Sequence, residues 1–160
     1  MTVFSEKDAV KNDKGEWELE FEDHSSKQRL VACSNSAAAV VELVNQQIKN
    51  DLMRENLQRD YQVAVKQLSS MCLAHDGSGA RAAAQVLLGA YNNSFHVDLT
   101  DLCLLDGENF NHAIAVIKGR VICWQEPHSL LDNGDEIFHK LWERWAHLHA
   151  NQRYIEHYQF

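Results

Sequence analysis

SAAAVVELVNQQIKNDLMRENLQRDYQVAVKQLSSMCLAH, residues 36–75, runs for forty positions without glycine or proline. Its apolar residues recur at helical rather than strand spacing, which makes the chain mainly α. Ser34 or Ser36 can cap its start. Val41, Val44 and Ile48 form one apolar stripe. Leu57, Tyr61, Ala64, Leu68 and Met71 form a second at strict three/four spacing. Continued backwards, the second stripe reaches Met53 and Asn50, so the two are out of phase. One unbroken helix would be about 60 Å long at ~1.5 Å per residue, against a radius of gyration of about 15 Å for a domain of this size. We therefore expect a break near Asn50-Asp51 and two helices, with one long dimerising helix as the alternative.

Upstream, residues 1–15 are polar and patternless and read as a frayed tail. Trp17-Glu18-Leu19-Glu20-Phe21-Glu22 then alternates apolar and acidic, the period of a half-buried strand. Asp23-His24-Ser25-Ser26 carries turn chemistry, and Gln28–Cys33 can return as the second strand of a β-hairpin. An isolated hairpin is marginal in water, so Trp17, Leu19 and Phe21 must pack on helices.

Downstream, Asp76-Gly77-Ser78-Gly79 stops one helix and starts another, with Ser78 as the expected N-cap. The following helix, Ala80–Tyr91, has an alanine-rich face. Residues 95–145, FHVDLTDLCLLDGENFNHAIAVIKGRVICWQEPHSLLDNGDEIFHKLWERW, are dense in core formers. Residues 97–106 are a short apolar run, strand or helix. Between Asn109 and Trp124, Phe110, Ile114, Ile117, Val121 and Trp124 fit a helix stripe, while β-branched richness and Lys118-Gly119 fit a hairpin. Asp132 or Asn133 caps a last helix with the stripe Ile137, Phe138, Leu141, Trp145 and Leu148.

The fold expected is mainly α (α+β): a bundle-like core of five or six helices with a small N-terminal β-hairpin. Residues 1–34 form tail and hairpin, and residues 35–160 the helical domain. With 160 residues, 45% hydrophobic and 24% charged, the chain can build a core without staples. Four scattered cysteines without a CxxC pair read as reduced thiols. The first residues lack an apolar signal-peptide core, and no stretch approaches the ~20 apolar residues of a membrane span. A cytoplasmic protein is expected.

The formal charge is −8, from 15 basic and 23 acidic residues. The acidic surplus lies at the two ends, and residues 31–96 are balanced. A basic stripe able to displace counterions from phosphates is missing, which argues against direct nucleic-acid binding. An acidic surface instead suits a protein partner with a basic one. Glu18, Glu20 and Glu22 share one strand face at a spacing of ~6.8 Å and are the candidate partner-binding residues. The bland reading of the same row is a solvated face that discourages edge pairing.

Other constellations are weaker. His128, His139, His147, His149 and His157 crowd the C-terminal third, and His139, Glu143 and His147 lie four residues apart. Zinc needs three or four ligands converging at about 2 Å, and this spacing is not the HExxH arrangement of a metalloprotease. A solvated polar face is favoured, and a metal-dependent His/carboxylate hydrolase using these three residues is the alternative function. Gly77–Arg81 (GSGAR) could cradle an anion but lacks a phosphate-loop pattern, so an interhelical turn is favoured. A helix-turn-helix there would carry only Arg81 as a base. Cys72 near His75 and Asp76 sits on the apolar stripe and reads as a buried thiol rather than a nucleophile.

Asp76-Gly77, Arg81, Leu87-Leu88, Phe95, Asp98-Leu99-Thr100-Asp101-Leu102, Asp106, Pro127, Phe138 and Trp145 together resemble an uncharacterised proteobacterial domain-of-unknown-function family associated with plasmids and integrative elements, over about residues 63–145. The resemblance implies a helix after Asp106 and brings no known activity. The expected function is a non-enzymatic, cytoplasmic protein-interaction module of a bacterial mobile element. It needs no cofactor and acts through its acidic surface on a nucleic-acid-handling or defence protein. A homodimer is also expected, because residues 36–75 and a last helix widened by Trp142 carry more apolar surface than one small domain covers.

Overall fold

A computed structural model describes residues 3–23 and 26–153. Its elements divide into two compact units, residues 1–56 and 57–160, with one helix, α1 (Ala37–Ala74), contributing to both.

In the first unit, β1 (Val10–Lys11), β2 (Trp17–Glu22) and β3 (Arg29–Ser34) form an antiparallel sheet in the order β1-β2-β3. The β2–β3 register runs from Trp17 opposite Ser34 to Glu22 opposite Arg29. Period-two alternation turns Leu19 and Phe21 inward, where they are buried with Ala9, Val40, Val41 and Val44. Asp23 organises the turn: its carboxylate accepts the Ser26 amide at 2.8 Å and its own amide donates to the Gln28 carbonyl at 2.8 Å. His24 and Ser25, the middle of the expected turn, lie outside the described residues.

The frayed tail is corrected. Glu6–Asp8 is a 3-10 turn closed by a capping box between Ser5 and Asp8, and it delivers Ala9 to the core and Val10–Lys11 to the sheet. The Phe4 amide donates to Asn45 Oδ1 at 2.9 Å and Asn45 Nδ2 donates back to the Phe4 carbonyl at 3.0 Å. A polar composition hid a segment held by reciprocal hydrogen bonds.

The expected break near Asn50-Asp51 is also corrected: α1 is continuous from Ala37 to Ala74. Ser36 starts it, its hydroxyl accepting the Ala39 amide at 3.2 Å. Asn and Asp each cost only about 0.6 kcal/mol in a helix interior, and Gln46 Nε2 donates to Asn50 Oδ1 at 2.9 Å, one turn away. The phase shift between the two stripes marks a change of packing partner rather than an end. Val40, Val41 and Val44 serve the first core; Tyr61, Ala64, Val65, Leu68 and Cys72 serve the second.

The second unit packs residues 57–74 of α1 with α2 (Ser78–Tyr91), α3 (Gly107–Cys123) and α4 (Gly134–Arg144), and α5 (Ala150–Arg153) follows. Short 3-10 turns at Asp101–Leu104, Pro127–Leu130 and Ala146–Leu148 connect them. The architecture is mainly α with a small sheet, and residues 109–123 are helix, not hairpin. Asp106 caps α3 by accepting the Asn109 amide at 2.8 Å. Gly77, rather than Ser78, occupies the N-cap of α2, and Asn133 that of α4. No helix among the described residues is long and apolar enough to cross a membrane.

Two close approaches fix the second core. A side chain at Gly119 would drive into the ring of Tyr61, so α3 meets α1 through glycine. The Trp145 indole N–H donates to the Cys72 carbonyl at 3.1 Å, tying the end of α4 to α1.

Candidate functional site

The outer face of the sheet carries the acidic row. Residues paired across an antiparallel ladder point to the same side, so Glu18 shares this face with Val10 and Cys33, Glu20 with Val31, and Glu22 with Arg29. Val10 and Val31 are 68% and 59% exposed, which makes the face acidic and apolar at once. Glu18 accepts from Asn12 Nδ2 at 2.6 Å, and the Arg29 guanidinium lies 3.4 Å from Glu20. Partial shielding of Cys33, then the charges of Glu18 and Glu16, push its thiol above the ordinary range. β1 pairs only with Trp17 and Glu18, so Glu18 has a strand on both sides while Glu20 and Glu22 are paired through β3 alone.

The histidine set is not assembled on one face. His139 Nε2 lies 3.3 Å from Glu143 Oε1, both groups exposed. α4 ends at Arg144, and His147 falls in the 3-10 turn Ala146–Leu148 with its ring centroid 5.7 Å from that of Trp145. The four-residue spacing of His139, Glu143 and His147 would put them on one helix face only if α4 ran about one turn further. No group of three or more metal-ligating side chains is placed to hold an ion among the described residues. His157 lies outside them.

The GSGAR turn uses its cation internally. Arg81 Nη2 lies 3.2 Å from Asp101 Oδ2, which also accepts from Gln85 Nε2 at 2.6 Å. Buried Gln85 in turn accepts the Asp98 amide at 2.9 Å, and Asp98 accepts the Thr100 amide and hydroxyl. The Asp98–Leu102 run is thus a latch holding its loop to α2. Cys72 is buried, its Sγ 3.3 Å from the Ala80 carbonyl, and burial pushes its thiol up to about 12. A thiol held protonated is no nucleophile at neutral pH.

Sequence reasoning missed two surfaces. The first is on α3, which buries Ala113, Val116 and Gly119 and leaves Phe110, Val121 and Ile122 outside, with Trp124 beyond its end 83% exposed. The stripe expected in the core is largely the outer one. Trp142, expected to widen an exposed face of α4, is instead packed edge-on against Phe95 at 4.7 Å.

The second is a groove of about 420 Å³ between α1 and the segment that leads into α4. Gln62, Lys66, Ser69, Ser70 and Leu73 line it from α1, at the three/four spacing of one helix face. Leu130, Leu131, Asp132 and Ile137 form the opposite wall. Gln62 Nε2 donates to the Leu130 carbonyl at 3.0 Å and ties the walls together. The helical spacing was legible, but not the distant segment that completes the groove.

No curated protein and no solved structure matches the chain. One family does match, over residues 62–146, a span that includes every residue lining the groove and all of α2, α3 and α4. That span is more than half of the 160 residues, and the chain belongs to the family of unknown function DUF7673.

Proposed function

We propose that the protein is a non-enzymatic interaction module that binds a protein partner with a basic surface. The observation that carries this reading is the outer sheet face, where Glu18, Glu20 and Glu22 stand beside the exposed Val10 and Val31. Acidic groups around accessible aliphatic ones can steer a basic partner and then bury contact area against it. The resemblance noted in the sequence adds the context of a proteobacterial mobile element. In that setting the partner is a cytoplasmic nucleic-acid-handling or defence protein. The test replaces Glu18, Glu20 and Glu22 with Gln and compares partner recovery from host lysate over a salt series. Loss of a salt-sensitive partner supports the reading. Unchanged partners with unchanged salt dependence reduce the row to a solubility device.

Self-association is favoured by a different observation, the outward stripe of α3. Phe110, Val121, Ile122 and Trp124 are the kind of exposed apolar set that marks an interface. A homodimer seated there places α3 against its copy. Light scattering at micromolar concentration should give twice the chain mass, and Val121→Glu should return it to the monomer. A monomer in the unsubstituted protein ends this reading.

A further inference from the structure

We propose that the free edge of β3 takes up an added strand from a protein partner, an extended basic segment that pairs with it through the main chain. Antiparallel strands alternate hydrogen-bonded and non-hydrogen-bonded pairs, and the two hairpin turns fix which pairs are which. The Asp23 amide donates to the Gln28 carbonyl at 2.8 Å. Counted back in twos from there, Phe21–Leu30, Leu19–Ala32 and Trp17–Ser34 are the bonded pairs of the β2–β3 ladder. The other hairpin agrees. Its Asn12 amide donates to the Glu16 carbonyl at 2.8 Å, which makes Val10–Glu18 a bonded pair and turns the Glu18 main chain towards β1, away from Cys33. Arg29, Val31 and Cys33 therefore point their amides and carbonyls away from β2, and β3 has no second strand neighbour among the described residues.

Such a row of main-chain donors and acceptors is a template for another strand. Edges are commonly blunted by lysine, proline or a bulge. Arg29–Ser34 has no lysine or proline, its register against β2 is unbroken, and its one charge is at its first position. The two faces specify the strand that fits. On the inner side Leu30 is 38% exposed and Ala32 packs at the margin of the first core, so apolar side chains are wanted there. On the outer side only Val31 and Cys33 separate the edge from Glu20 and Glu18. Two strand spacings are about 9.6 Å, a gap that a lysine or arginine on the added strand and a glutamate on β2 span together. The basic character of the segment rests on the acidic-face reading above; its pairing with the edge does not.

The probe is a capped heptapeptide of alternating lysine and valine, titrated into the full chain and followed by amide NMR and hydrogen exchange. Binding should saturate and slow exchange at Arg29, Val31 and Cys33. Main-chain N-methylation of alternate peptide residues should abolish binding in one of its two patterns and spare it in the other, since a strand added at an edge uses one side of its backbone. Val31→Pro removes an outward amide and no β2–β3 ladder bond. It should weaken the peptide about tenfold, while Val31→Ala, which keeps the amide, binds nearly as tightly. Should Val31→Pro disturb the sheet, the methylated peptides still decide, because they leave the protein unchanged. Replacing Glu18, Glu20 and Glu22 with Gln should weaken binding and remove its salt dependence. Binding that ignores both methylation patterns is charge contact alone; it overturns edge pairing and leaves the acidic-face reading intact. Unweakened binding by the triple Gln chain, with the three amides still protected, keeps the edge and sinks the acidic-face reading. No saturation overturns the proposal. So does protection of these amides that grows with concentration in the free protein, which assigns the edge to a second copy.

Discussion

α2 and α3 pack into the same core and use their sequences in opposite ways. α2 buries an almost continuous run, with Ala82, Ala83, Ala84, Val86, Leu87 and Leu88 all buried. α3 is similarly apolar but buries only small or medium residues, and its largest ones stay outside. The cause is local: Gly119 faces the Tyr61 ring, and Arg120 Nε donates to the Ala90 carbonyl at 2.9 Å. Ala113, Val116 and Gly119 occupy the face so held, and Phe110 and Val121 lie on the other side of the helix. Periodicity reveals that a helix has an apolar stripe, but when both sides are apolar the neighbour's shape chooses the face.

The contrast can be broken most severely on α2. Leu87→Ala should cost about 2–5 kcal/mol by leaving a cavity in a closed core, measured by denaturant unfolding. A sharper test is the sign at Gly119. Gly→Ala in a helix interior normally stabilises by about 1 kcal/mol. Here the added methyl meets the Tyr61 ring, so Gly119→Ala should destabilise by about 1–3 kcal/mol. A stabilised Gly119→Ala would show that α3 does not approach α1 so closely.

The core should also fail in alkali. The buried Cys72 thiol keeps its proton up to about 12, against an ordinary value of 9.0. An acid whose folded pKa is raised contributes stability that is complete below the unfolded value and is lost as pH climbs through the folded one. Melting temperature should fall from about pH 9 upward. Burial pushes the Tyr61 phenol in the same direction, and Cys72→Ala should flatten the first part of the decline. The smallest effect belongs to the outer face of α3. Val121→Ala should change folding stability by less than about 0.5 kcal/mol and act on self-association instead.

How much of this was legible depends on how local the determinant is. The alternation of Trp17–Glu22 delivered the strand and its buried face, because a one-residue slip would expose Leu19 and Phe21. The Phe138, Leu141, Trp145 and Leu148 burial followed from spacing, although a 3-10 turn finishes what a longer helix was expected to do. β1 was overlooked even though Ser5-Glu6-Lys7-Asp8 has the spacing of a capping box. The Phe4–Asn45 pair that holds this segment joins residues too far apart for any pattern to show. The groove stayed hidden for the same reason. The acidic row was legible in place, and its exposed valine neighbours came from the register of the other two strands.

One consequence of the unbroken α1 concerns how it opens. Between Val44 and Tyr61 none of its side chains is fully buried, so fifteen or more consecutive residues rely on helix propensity more than on packing. Most helices fray from their ends. This one is anchored near both and should exchange its amide hydrogens fastest around its centre. Lys49, Arg54 and Arg59 fall within that stretch, so brief trypsin treatment of the native protein should cut there before it cuts α2 or α3. The middle of the longest helix is then the natural seam along which the chain comes apart into two separately folded fragments.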